Sequence, residues 1–377
     1  MSANKVIVAN ASALVAAVSA AATNDTTCIE IALTSDDSLT LTNTLVIPPD
    51  FFNTASKRLI IEGNGATIKC PAGGFGINTA LISRKSVSDN KACSLIFRNI
   101  NFDCSGNQMT CLELYNASNV IIENCRFNNC KRGLVLKRID TATVDNCVVN
   151  NASEYGFYCG ISEIFPLPDP TLLSKSNNIV FNNCKVVGPS QLQSGCVAWS
   201  LNDVQTIELN NIQLYGNVLT GVEYIISNTT VFSNFKINNI TIGSLVSTGV
   251  KLVMNSGFAQ IDGVYITVPI GGFVIDASSL ILPANSTLPH LYVKNTPVLP
   301  AGAKFKTTGG VAANSPCDIP QPSNVVVWEF YEVADGDNIW SAARWDLGFI
   351  PYYRYAEFFS ESKTILTNSM TVNSKPL

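Results

Sequence analysis

The chain has 377 residues, a formal net charge of −4 and a pI near 5.2, with 46% apolar and 14% charged residues. That is enough for one elongated domain or two ordinary ones, with a sizeable core beneath a mostly neutral polar surface. The acidic balance and the lack of a basic face argue against a nucleic-acid partner, and no stretch reaches the ~18 apolar residues of a membrane-spanning helix.

The first element is an apolar run from Ala11 to Ala22. Asn10 and Ser12 interrupt its polarity pattern, and a single Lys5 precedes it, which weakens a signal-peptide reading. The pattern predicts a short helix capped by Asn10, with Leu14, Val15 and Val18 on one face. No cleaved leader is expected.

A repeat follows, anchored on Asn. Its members are "LIFRNINF" (Asn99), "VIIENCRF" (Asn124), "ATVDNCVV" (Asn146), "IVFNNCKV" (Asn183), "IELNNIQL" (Asn211), "FKINNITI" (Asn239), "AQIDGVYI" (Gly263) and "LYVKNTPV" (Asn295). The intervals are 25, 22, 37, 28, 28, 24 and 32 residues, the period of a solenoid or array. Four and two residues before each anchor, and one and three after it, nearly every position is apolar; Thr296 is the exception. This is alternation on both sides of a bend, with the inward phase slipping by one residue at the anchor. A left-handed residue there produces the slip, and Asn and Gly tolerate that conformation best. The Asn side chains are expected to form a ladder from coil to coil, and to be structural.

A third strand follows each bend, as "GLVLKR" (Gly133), "GFYCGI" (Gly156), "GCVAWS" (Gly195), "GVEYII" (Gly221), "GVKLVM" (Gly249) and "GFVIDA" (Gly272). The leading Gly suits a turn with positive φ. "CLELYN" at Cys111 is the counterpart without Gly. Three short strands per coil predict an all-β fold, a single-stranded right-handed parallel β-helix of about 8–10 coils. Residues 1–58 would hold the capping helix and first strands, 59–300 the β-helix, and 301–377 an aromatic-rich C-terminal cap or oligomerisation module.

Twelve cysteines in this length do not make a disulfide scaffold, and no CxxC spacing suggests a metal. Cys125, Cys147 and Cys184 fall in one inward column and are read as buried free thiols.

On these residues the core from Leu59 to Val298 resembles the right-handed, pectate-lyase-like β-helix superfamily, of the kind found in phage and virus tailspike proteins. The N-terminal segment and "LIIEGNGATIKC" look like the helix cap and first coil of such proteins. The resemblance implies the fold. It leaves function open, because the fold hosts lyases, hydrolases, adhesins and virion spikes.

Two segments depart from the repeat. Glu163 to Asn177 is the largest insertion, a loop that either binds or merely connects. Pro316, Pro320 and Pro322 look like a linker, and Trp328 to Phe359 carries eleven aromatics where the repeat stops.

The resemblance implies activity, if any, on the outer face of the Gly-led sheet. Counting from each Gly, one outward column is Val135, Tyr158, Val197, Glu223, Lys251 and Val274, and the next is Lys137, Gly160, Trp199, Ile225, Val253 and Asp276. No carboxylate cluster for Ca²⁺ appears there, and the superfamily's lyase Arg motif and polygalacturonase motifs are not recognisable. His290 lies outside such a context, and "ADGDN" (Ala334 to Asn338) reads as a turn. The weak catalytic candidates are Glu223, Asp276 and Lys251, with Glu223 and Asp276 two rungs apart and offset along the strand. Trp199 and Tyr158 are the weak stacking candidates for a sugar.

The expected function is therefore a noncatalytic virion component, a spike, fibre or capsid-decorating protein, with no cofactor. Its expected partners are its own copies, as a homotrimer burying the apolar outer face, and other virion proteins. The alternatives are a polysaccharide lyase or glycoside hydrolase, and a glycan-binding adhesin. The expected location is the virion, with the cytoplasm as the alternative.

Overall fold

The computed structural model describes residues 4–280, apart from 22, 24, 34–37, 49–56, 86–92, 107, 161–175, 190–195, 227–232, 244–247, 255–257 and 267–272. Beyond 280 it describes only short strand backbones. The chain divides into two units, Met1–Gln205 and Thr206–Leu377.

Unit one opens with a strand, Asn4–Val8, before the helix Ala11–Ala21. The strand pairs in parallel with Thr26–Ile31. The Asn10 side-chain oxygen accepts from the Ala13 amide at 2.8 Å, the expected cap. Leu14, Ala17, Val18 and Ala21 are buried, while Val15 is 43% exposed and does not share their face. No described helix is long and apolar enough to cross a membrane.

Three parallel sheets then wind around one core. In the first, Leu59, Leu95, Val120, Ala142 and Ile179 lie on successive rungs, as do Ile61, Phe97, Ile122, Val144 and Phe181. All ten are buried. In the second, Phe102, Phe127, Val149 and Val186 are aligned. These are the inward columns the repeat predicts. The first sheet extends back to Thr26–Ile31, so coil pairing begins well before residue 59.

The bends have the predicted backbone. Asn99, Asn124, Asn146 and Asn183 have φ of 54°, 54°, 50° and 53°. Asn64 and Gly65 make a wider left-handed bend in the coil before. Two further corners escape the sequence pattern. Ser105, Asn129 and Asn151 are left-handed at the second, and Asn116, Arg138 and Asp203 at the third. The ladders run on through these corners, so Arg126–Asp145 forms one strand of 20 residues.

The Gly-led column has a different cause from the one expected. Gly133 and Gly156 are not among the positive-φ glycines. A Cβ on Gly133 would stand 2.5 Å from the carbonyl oxygen of Gly156, and one on Gly156 would stand 2.6 Å from that of Ala198. Close backbone approach between rungs excludes a side chain. The second contact also shows that Ala198, not Gly195, is the equivalent of Gly156. Gly195 itself, and Gly272, lie outside the described residues.

Aromatics fill much of this core. Phe102 stacks on Phe127 with centroids 5.2 Å apart, and Phe157 contacts Phe181 at 5.2 Å and Trp199 at 5.4 Å. Cys125, Cys147 and Cys184 are fully buried free thiols that lean on the carbonyls of Phe97, Ile122 and Val144 at 3.7, 3.6 and 3.4 Å. Burial pushes the thiols of Cys125 and Cys147 well above the usual range.

Unit two repeats the same arrangement. Ile207, Phe235, Ala259 and Leu291 share one column, and Leu209, Ile237, Ile261 and Val293 another. Its bends at Asn211, Asn239 and Gly263 have φ of 53°, 63° and 75°, so Gly takes the Asn role as expected. Parallel pairing continues to Val326–Trp328, past residue 300. Antiparallel pairs also occur past residue 300, Lys304–Thr307 with Gly310–Ala313, Ile339–Trp340 with Phe358–Phe359 and Arg344–Asp346 with Tyr353–Tyr355. The Asn295 anchor, His290, the 163–175 part of the insertion, the proline linker and the "ADGDN" turn all lie outside the described residues, as do the side chains of the C-terminal aromatics.

Candidate functional site

The outer face of the third sheet in unit one carries charge and rings beside apolar residues, and much of it is covered: Val135 is 0%, Ser200 1%, Tyr115 4% and Lys137 5% exposed. Its strands are Ala80–Arg84, residues 110–115, residues 132–137, residues 155–160 and Val197–Asn202. Alternation points Leu112, Leu134 and Phe157 into the core. The outward rungs align Ser83, Glu113, Val135, Tyr158 and Ser200 in one column. Tyr115, Lys137 and Gly160 form the next. Arg132, Tyr155 and Val197 align where the strands begin, two residues before the inward Leu134, Phe157 and Trp199; Arg132 and Tyr155 are part-exposed there and Val197 is buried.

Glu113 is only 6% exposed, and its carboxylate is well supplied with donors. The Tyr115 hydroxyl donates to it at 2.6 Å, Lys85 Nζ lies at 2.9 Å, and the Ser83 hydroxyl donates at 3.4 Å. These contacts offset the cost of burying a charge. The Lys137 ammonium lies 5.3 Å from the Tyr115 ring centroid and 5.4 Å from that of Tyr158, within cation–π range of both.

Beside this group, the Arg132 guanidinium forms two bonds to Glu154, at 2.9 and 3.0 Å, and lies 5.5 Å over the Tyr155 ring. Lys131 adds a contact to Glu154 at 3.4 Å. Burial pulls the Arg132 pKa down, but the hydrogen bond and charge of Glu154 outweigh it and leave it raised. Burial likewise raises Glu154, and Arg132 and Lys131 together bring it below the usual carboxylate range. Tyr155 and Tyr158 are half-buried, with centroids 5.2 Å apart and tilted rings.

The two stacking candidates therefore part company. Tyr158 faces outward as expected. Trp199 does not: it is 0% exposed, aligned with Phe157 and stacked on it within the core. The expected orientation counted from Gly195, whereas the register counts from Ala198, and the shift turns Trp199 inward. A buried indole offers no face to a sugar.

In unit two the three weak catalytic candidates come together. Glu223, Lys251 and Asp276 occupy one column on consecutive rungs, without the offset expected along the strand. The outward position belongs to Asp276, and Val274 is buried. Lys251 Nζ contacts Glu223 at 2.7 Å, the ion pair expected of neighbours in one column.

Sequence reasoning passed over Ser83, Lys85, Glu113, Tyr115, Arg132, Glu154 and Tyr155. A signal was present for two of them: in "CLELYN", Glu113 and Tyr115 alternate with Leu112 and Leu114. Among the described residues, no three His, Cys, Asp or Glu are grouped so as to hold a metal ion.

Residues 31–212 match the family model for a right handed beta helix region, which bears out the fold and the sense of winding. No curated protein matches the chain. One similar solved structure is Pantoea stewartii WceF, described as a glycan biofilm modifying enzyme with a bacteriophage tailspike-like parallel beta-helix fold. It is 13% identical, with a TM-score of 0.34, over 84% of this chain and 40% of that one. Another is the catalytic domain of a GH87 α-1,3-glucanase in complex with tetrasaccharides, 10% identical, with a TM-score of 0.30, over 77% of this chain and 67% of that one. This chain thus spans 40% of the length of the first. At these TM-scores neither likeness carries an argument about this chain.

Proposed function

We propose that the protein is a noncatalytic β-helix that recognises a glycan, and that it serves as a spike or surface component of a virus particle. The contact surface in this reading is the outer face of the third sheet in unit one. The observation that carries it is the paired, half-buried rings of Tyr155 and Tyr158, set beside the part-exposed charges of Arg132 and Glu154. Tyrosine faces take the C–H face of a sugar ring, and charged groups beside them bond its hydroxyls.

The state of the carboxylates favours binding over cleavage. Glu113 already accepts from Tyr115, Lys85 and Ser83, and Glu154 is held by Arg132 and Lys131. A general base needs reach to a substrate proton, and these groups are committed to neighbours. A glycan array combined with an oligosaccharide-release assay tests the reading. Binding without release is the expected result, and release would refute the noncatalytic part.

A second reading rests on the column of Glu223, Lys251 and Asp276. Two rungs are ~9.6 Å at ~4.8 Å each, just beyond the roughly 6.5–9.5 Å of an inverting glycosidase. Oligosaccharide release abolished by Glu223→Gln would make the enzyme reading the correct one. The virion placement is part of the main proposal, and mass spectrometry of purified particles tests it. A homotrimer is proposed with it, not on the ground of an apolar outer face, because that face carries the glycan contact in this reading; light scattering of the purified chain tests it.

A further inference from the structure

Several buried thiols gather where the second sheet turns into the third in unit one. Cys104 follows the strand Asn101–Asp103, and Cys111 is the second residue of the strand Thr110–Glu123. Between them the chain turns through Ser105 and Gly106, at φ of 53° and 78°. Both cysteines are thiols in this structure and fully buried. Their sulfurs are 3.5 Å apart. The Cys70 thiol donates to the Cys104 carbonyl at 3.2 Å, and the Cys111 thiol leans on the Asn128 carbonyl at 3.9 Å. Cys130 also neighbours Cys111.

Ordinary core cysteines are small apolar residues whose sulfurs rest on carbonyls or methyl groups. The thiols of Cys125, Cys147 and Cys184 rest on carbonyls in this way, and they also approach one another from coil to coil. Cys104 and Cys111 differ in facing each other across a short turn within one coil, seven residues apart. A disulfide needs sulfurs about 2.05 Å apart, so closure asks for about 1.5 Å of approach, within the reach of side-chain rotation.

We propose that Cys104 and Cys111 are an oxidisable pair that closes a disulfide across residues 105–110. The co-reactant is a small-molecule disulfide. One cysteine, as thiolate, attacks it, forming a mixed disulfide and releasing one small thiol. The second cysteine attacks the mixed disulfide and releases the other. Two S–H bonds are lost from the protein and one S–S bond forms. The two electrons and two protons leave on the two small thiols. Burial holds the Cys111 thiol well above its usual pKa, so the step waits on local opening of this corner. The pair stays reduced in a reducing cytosol and closes in an oxidising medium, where it ties the second sheet to the third.

The test uses the full chain, folded, incubated with oxidised glutathione, then quenched with N-ethylmaleimide in denaturant and digested with trypsin. Cleavage after Arg98 and Arg126 gives one peptide containing Cys104, Cys111 and Cys125. The expected change is from three maleimides before oxidation to one after it, with the one on Cys125. A Cys111→Ser variant is expected to carry maleimide on both Cys104 and Cys125 after the same treatment. If the variant fails to fold, the wild-type peptide still decides. Three maleimides after oxidation, a lasting glutathione adduct, or a bridge from Cys111 to Cys130 or from Cys104 to Cys125 would each overturn the proposal.

Discussion

The Asn146 side-chain amide donates to the Asn124 side-chain oxygen, 22 residues earlier, at 2.6 Å. The same contact joins Asn239 to Asn211 at 3.0 Å. The ladder is not uniform. Asn183 reaches Asp145 at 3.1 Å, and Asn99 reaches Glu62 at 2.8 Å. The shared requirement is the left-handed backbone, and the side chain bonds whichever acceptor the coil below offers. Asn124, Asn146 and Asn183 are exposed, so water can replace a lost partner.

Asn183→Ala is therefore expected to cost about 1–2 kcal/mol, mostly from left-handed backbone strain. Asn183→Gly is expected to cost less, because Gly263 already serves in that role with φ of 75°. Urea unfolding of both variants checks this. Equal stabilities would contradict the account of the bend.

Gly221→Ala tests the Gly-led column in unit two. A Cβ there would stand 2.5 Å from the Gly249 carbonyl oxygen and 2.9 Å from a Leu214 methyl. Backbone on the next rung cannot step aside cheaply, so a loss of about 1–3 kcal/mol is expected. Gly65→Ala meets no nearby atom, and its cost comes only from φ of 84°. The measurement is the thermal midpoint of each variant. An unperturbed Gly221→Ala protein would contradict the close approach.

The Glu154–Arg132 pair predicts a contribution that acid removes. The folded pKa of Glu154 is depressed, so the unfolded chain takes up the proton first. The stabilisation is full above the unfolded value, about 4.3, and is lost as pH falls through the folded one. The pair is part-exposed, so the effect is small. Glu154→Gln is expected to lower stability at pH 7 and to flatten this part of the acid profile. Wild-type and variant curves that stay parallel from pH 7 to pH 3 would contradict it.

Trp199→Ala is expected to destabilise by about 3–5 kcal/mol, as loss of a large buried ring does. The ring is 0% exposed and stacked on Phe157 at 5.4 Å. Denaturant titration measures the loss, and a near-neutral result would put Trp199 back on the outer face.

The alternation around the Asn anchors made the first two sheets legible, because both sides of each bend are buried and a one-residue slip would expose every column. The third sheet was legible only in part. Gly133, Gly156, Gly221 and Gly249 gave its register correctly. Gly195 and Gly272 were false markers, since the equivalent positions are Ala198 and Val274, whose carbonyls meet the Gly of the rung before. That slip carried Trp199 outward and displaced Asp276 from the column of Glu223. The ring-and-charge group around Glu113 was missed for another reason. Its members come from successive rungs, with Ser83 and Glu113 already 30 residues apart, and only the coil stacking brings them together.

The central claim is recognition of a glycan by the face that carries Tyr158. The direct measurement is affinity for the best glycan found on an array, for wild type and for Tyr158→Ala, with product analysis of the same mixtures. Tyr158 faces outward, half-buried beside Tyr155, so the substitution should leave the core intact. The account predicts at least a tenfold loss of affinity, on the order of 1.4 kcal/mol, and no oligosaccharide product from either protein. Unchanged affinity in Tyr158→Ala, or release of oligosaccharide by the wild type, would contradict it.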